Sequence, residues 1–81
     1  MSESRSIFRY RTHRPAKIFL KDGSTIECVV RDLSTKGAGL EFADDANVPD
    51  DEFFLIIKGS SERFRCQRIW QIGKIIGVQY F

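Results

Sequence analysis

Cysteine and histidine are scarce in this chain, with two of the first and one of the second among 81 residues. Two cysteines with no secretory signal argue against a disulfide framework, and one histidine leaves too few ligands for zinc. Cys28 and Cys66 each stand among apolar neighbours, so both are assigned to the core as small hydrophobes. No apolar run approaches the ~20 residues that a membrane-spanning helix needs. Met1-Ser2-Glu3-Ser4 leads directly into arginines rather than into an apolar signal core. The expectation is a cytoplasmic chain with no membrane insertion. There is no nucleophile–base pair, no metal-ligand cluster and no phosphate-cradling glycine loop followed by a helix, so we expect no catalytic residue, no metal and no enzyme. Net charge is also small, at +2, where a duplex-binding domain is strongly basic; DNA is not an expected partner.

What is present suffices for one small domain with a thin core. Apolar residues make up 42% of the chain, which argues against wholesale disorder. Charge is distributed in blocks. Residues 1–31 carry seven Lys/Arg against three acids, residues 32–62 carry eight acids against Lys36 and Lys58, and residues 63–81 carry four cations and no acid. Such a pattern suits a compact anionic ligand held by a local patch.

Turn residues divide the remainder into short strands. Residues 1–14 lack apolar periodicity and are expected to form a flexible, arginine-rich arm, followed by a single domain over residues 15–81. Pro15 opens a strand with Ala16, Ile18 and Leu20 on one face and Lys17, Phe19 and Lys21 on the other. Asp22-Gly23 is the strongest hairpin signal in the chain. The second strand places Ile26, Cys28 and Val30 on one face, and a third runs from Ala38 to Ala43 with Leu40 and Phe42 aligned. Asp44 to Asp51 reads as an acidic, solvated loop. Phe53-Phe54-Leu55-Ile56-Ile57 reads as a buried strand. After Gly59-Ser60-Ser61, the residues Phe64, Cys66 and Trp70 mark a fifth strand. After Ile72-Gly73-Lys74, residues 75–81 form the sixth, with Val78 and Tyr80 on one face. Trp70 and the phenylalanines are assigned to the core. Six short strands with tight turns and no C-terminal helix predict an all-β fold, a small six-stranded antiparallel barrel whose closure removes exposed edges. Arg68 breaks the pattern by falling on the face of Phe64, Cys66 and Trp70, and is expected at a bulge or a barrel rim.

Two segments carry recognisable chemistry. Arg5, Arg9, Arg11 and Arg14 supply forked donors suited to phosphates and to the N7/O6 edge of guanine. Asp32-Leu33-Ser34-Thr35-Lys36-Gly37 places an acid and a hydroxyl two residues apart in a turn closed by glycine, able to accept and donate hydrogen bonds. Together they suggest a clamp for a small guanine-containing anion.

These residues resemble the PilZ domain, a bacterial cyclic di-GMP receptor module whose signatures are Arg-x-x-x-Arg followed by Asp/Asn-x-Ser-x-x-Gly. Arg5-Ser6-Ile7-Phe8-Arg9 fits the first and Asp32-Leu33-Ser34-Thr35-Lys36-Gly37 fits the second. Cys28-Val29-Val30-Arg31, Cys66-Gln67-Arg68-Ile69-Trp70 and Gly77-Val78-Gln79-Tyr80-Phe81 also look like short single-domain alphaproteobacterial members. The distance from Arg9 to Asp32 suits the family, which places the first motif on Arg5 and Arg9 rather than on Arg11 and Arg14.

The resemblance implies a ligand, cyclic di-GMP, and a separate effector protein in motility, exopolysaccharide or biofilm control. On this reading the arm wraps over the ligand. Arg5 and Arg9 contact phosphates and guanine edges, Asp32 and Ser34 contact polar ligand atoms, and Gly37 permits the turn and a close backbone approach. Tyr10, Arg11 and Arg68 are possible additional contacts. Two alternatives stand beside it: a nucleotide-independent interaction adaptor, and a small RNA-binding barrel in which exposed aromatics stack on bases.

Overall fold

Alternation of apolar and polar residues decides which side of each strand turns inward, and here it builds six strands that share one interior. The computed structural model describes residues 10–44, 48–49 and 51–81. Its strands are β1 (Tyr10–Phe19), β2 (Thr25–Leu33), β3 (Gly37–Glu41), β4 (Glu52–Ile57), β5 (Arg63–Ile72) and β6 (Ile75–Tyr80). They close into an antiparallel barrel in the order β1-β2-β3-β6-β5-β4. Two meanders, β1-β2-β3 and β4-β5-β6, therefore meet along two seams, β1 against β4 and β3 against β6.

The interior is filled by alternate residues of every strand. Ile18, Val30, Leu40, Leu55, Cys66 and Ile76 are fully buried. No polar or charged side chain is buried among the described residues, so burial here carries no desolvation penalty from unpaired groups. Cys28 and Cys66 are free thiols within this core, as expected.

The turns follow their sequence signals. Between β1 and β2, Gly23 N–H donates to the Leu20 carbonyl at 3.0 Å, and the Asp22 carboxylate accepts from Ser24 N at 2.9 Å. Between β5 and β6, Gly73 takes a φ of 58° that a residue with a side chain seldom adopts.

Four sequence expectations are revised. The strand β1 begins at Tyr10, so Tyr10, Arg11 and Arg14 are paired with β2 rather than part of an arm. A register shift between Arg11 and Arg14 interrupts the alternation there, which is why periodicity missed them. The β4 strand is buried on one side only, with Phe53, Leu55 and Ile57 inside and Phe54 outside. Val48, from the loop read as solvated, is buried against the core at 2% exposure.

The aromatic assignment changes most. Phe42 and Phe53 are core, but Phe19, Phe54, Phe81 and Trp70 are exposed. For Trp70 the cause is local: the register shifts between Arg68, opposite Val78, and Trp70, opposite Gly77. Ile69 is the extra residue of a bulge, which turns Trp70 to the outer surface and leaves Arg68 half-buried at the inner rim. The expected bulge at Arg68 is present, and it is also what removes Trp70 from the core.

Two outcomes follow from this packing. Leu55→Ala should cost ~2–5 kcal/mol, a large part of the ~5–15 kcal/mol total of a small domain, whereas Phe54→Ala next to it should cost about 1 kcal/mol or less. Urea denaturation of the two variants separates these cases. Burial also pushes the Cys28 and Cys66 thiols up to about 12. Unfolded thiols ionise near the ordinary value of about 8.5, so the stability they contribute is complete below that pH and is lost as pH rises toward 12. Urea midpoints should therefore fall above about pH 8.5, less steeply in a Cys28→Ala/Cys66→Ala variant. Tyr80, raised first by burial and then by the nearby Cys66 and Asp32, adds a residual slope of the same sign.

Candidate functional site

A second bulge shapes the Asp32 region. Val30 stands opposite Leu40 and Asp32 opposite Gly39, so Arg31 is the extra residue and Asp32 turns outward beside it. The half-buried Asp32 carboxylate covers Gly39, where a Cβ would stand 2.8 Å from its Oδ2. In the other direction Asp32 pairs with Arg11 of β1. Gly39 in turn pairs with Gly77, and Gly77 with Trp70. One outer row therefore runs Arg11, Asp32, Gly39, Gly77, Trp70 across five of the six strands.

The two central glycines give this row a low floor. The Trp70 indole lies over Gly77, where a Cβ would run into its ring nitrogen. Glycine in a strand interior commonly marks such a close approach. A shallow cavity of ≈ 270 Å³ opens beside it, lined by Ser34, Lys36, Gly39, Ile69, Trp70 and Gln79 among others. On the far side of Asp32 a recess of ≈ 220 Å³ is bounded by Arg11, Thr12, His13 and Arg31. Arg31 is partly held by Glu41, with Nε 3.6 Å from the carboxylate. A carboxylate, an indole and several cations thus surround two adjoining hollows, a combination suited to a planar base carrying an anionic linkage.

Ser34 is occupied in shaping the turn. Its Oγ accepts from Lys36 N at 3.2 Å and Gly37 N at 3.1 Å, and donates to the Gly37 carbonyl at 3.2 Å. A hydroxyl has one donor and two acceptor positions, so all are used. Gly37 has ordinary backbone angles, and its lack of a side chain serves space: a Cβ there would collide with the Val78 backbone carbonyl. The expected conformational role of Gly37 in the turn is thus replaced by a packing role against β6.

The structure brings Asp32, Ser34, Gly37 and Arg11 to one side of the barrel. Arg68 lines neither hollow, and its guanidinium instead donates to Gln71 Oε1 at 2.8 Å. Arg5 and Arg9 lie outside the described residues, as does the side chain of Tyr10. Sequence reasoning missed Trp70, Gly39 and Gly77. The two glycines in strand centres were the available signal for a close approach, and the bulge hid the tryptophan.

The structure is thus a small closed barrel bearing a glycine-floored hollow on its outer wall. The family model of the PilZ domain matches residues 3–81, and the chain belongs to that family. The family is one of cyclic di-GMP receptors. Comparison with curated proteins finds no match.

The glycine floor makes a differential test. Gly37→Ala meets backbone and should destabilise by ~1–3 kcal/mol, while Gly77→Ala meets only a side chain that can move away. Urea denaturation should show the first loss. The emission of Trp70, the sole tryptophan, should shift in Gly77→Ala as the ring is displaced toward water.

Proposed function

We propose that this chain is a cyclic di-GMP receptor that seats its ligand along the Asp32–Gly39–Gly77–Trp70 row and closes Arg5 and Arg9 over it. The observation that carries this reading is where β1 begins. Tyr10 pairs with Leu33, between Asp32 and Ser34 in sequence, so residue 10 stands at the rim of the hollow, with Arg9 one position and Arg5 five positions before it in the chain. At ~3.3–3.6 Å per residue, both arginines are within reach of a ligand there.

Each group then has a distinct task. Arg5 and Arg9 donate forked hydrogen bonds to phosphate oxygens or to the Hoogsteen edge of guanine. Asp32, a hydrogen-bond acceptor, takes guanine N–H groups. Ser34 keeps the Ser34–Gly37 turn in the geometry that exposes backbone to the ligand, and Trp70 offers an aromatic face to a base. Fixing backbone over the ligand costs ~1–2 kcal/mol per residue fixed, and charge-assisted bonds of ~1.5–3 kcal/mol each offset it. Micromolar affinity is the natural result. The role is binding, with the output passed to a separate effector protein in the cytoplasm.

Calorimetric titration with cyclic di-GMP tests the reading. Wild-type protein should release heat with micromolar affinity, and Arg9→Ala and Asp32→Ala should each weaken binding by about tenfold or more. Trp70 emission should change in parallel with the heat, since the sole tryptophan lies on the proposed floor. No heat from folded wild-type protein would remove the receptor reading, and undiminished binding by both variants would remove this site.

A further inference from the structure

The seam between β1 and β4 carries a second surface that ligand binding leaves unused. Phe19 of β1 stands directly opposite Phe54 of β4, and both point outward because Ile18 and Leu55 beside them fill the core. The two residues are 36% and 40% exposed. In the adjoining row Lys17 stands opposite Ile56, and Ile56 opposite Arg63 of β5. The Arg63 guanidinium lies over the Phe54 ring at 5.5 Å. An apolar centre of Phe19, Phe54 and Ile56 is thus flanked by cations, the anatomy of a protein-docking patch with aromatic anchors and a polar rim.

The charges on this rim are not equivalent. Arg65 is held by Glu52, with Nε 2.7 Å from the carboxylate, and Lys21 lies 3.3 Å from Asp51. Lys17 and Arg63 have no ion-pair partner among the described residues. Among the cations around the apolar centre, Lys17 and Arg63 are therefore the two that a partner's acids can take. Because the barrel is closed, there is no strand edge for a partner to extend, and recognition must run through these side chains.

We propose that the β1–β4 face docks an acidic segment of a partner protein, its apolar side chains on Phe19, Phe54 and Ile56 and its carboxylates on Lys17 and Arg63. Single-stranded RNA is the poorer fit, because the Arg63 guanidinium already covers the Phe54 face on which a base would stack. In the barrel order this seam lies opposite the β3–β6 seam that floors the candidate ligand hollow. Both surfaces can be occupied together, and β1 belongs to each: Arg11 stands in the ligand row and Phe19 on the docking face. The proposal rests on the receptor reading only for what the docked partner is told.

Amide-shift titration of the full chain tests it with three probes: a synthetic peptide alternating Asp/Glu with Leu/Phe, the same peptide with Lys replacing the acids, and oligouridylate. The acidic peptide should shift amides of β1, β4 and the start of β5, and bind more weakly as salt rises. Phe54→Ala and the pair Lys17→Glu/Arg63→Glu, all at exposed positions, should each weaken it by about tenfold or more. Equal binding of the lysine peptide, preferential shifts from oligouridylate at this face, shifts elsewhere, or no shifts at all would each overturn the proposal. Cyclic di-GMP heat in the same variants separates the two readings. Heat retained with docking absent removes only the docking face, while docking retained without any wild-type heat removes only the receptor.

Discussion

Closure along two seams is the constraint on which the rest of this protein depends. Four of the six strand pairings join neighbours in sequence and need only a turn. The other two, β1 with β4 and β3 with β6, join segments far apart in the chain and must bear the entropy of loop closure. Each seam then creates a surface that neither meander has alone. At β3–β6, Gly39 comes beside Gly77 and floors the hollow between Asp32 and Trp70. At β1–β4, Phe19 comes beside Phe54.

Bulges do the remaining positioning. Strict alternation in β2 and β5 would put Asp32 inside, opposed to its charge, and Trp70 inside, where a narrow barrel has little room. One extra residue in each strand, Arg31 and Ile69, reverses both. The two side chains then meet the same outer row from opposite ends. Glycine at positions 39 and 77 lets that row lie close to the wall, and the cost of strand glycines is borne where approach matters more than propensity.

The motif Asp32-Leu33-Ser34-Thr35-Lys36-Gly37 divides its labour in a way its residue types alone do not reveal. Ser34 and Gly37 are the residues most readily imagined against a ligand. In the structure Ser34 is saturated by the turn it builds, and Gly37 clears space for the β6 backbone. Asp32 is the member turned to the outer surface. The motif reads as a support with one outward-facing carboxylate, and a family member that kept Ser34 and Gly37 without the acid would preserve the shape of the wall while losing that carboxylate.

Sequence alone determined the strand count, the turns at Asp22-Gly23 and Gly73-Lys74, the buried thiols, and the family through Arg5, Arg9 and the Asp32 motif. These are local properties: alternation, turn chemistry and motif spacing are all written within a few residues of each other. Tertiary structure decided where β1 begins, that Val48 reaches the core, that Trp70 faces outward, and that Phe19 stands beside Phe54. It also decided that Gly39 meets Gly77. None of these is a property of a single strand. Register shifts by one residue reverse every following side chain, and only pairing with a distant strand sets the register.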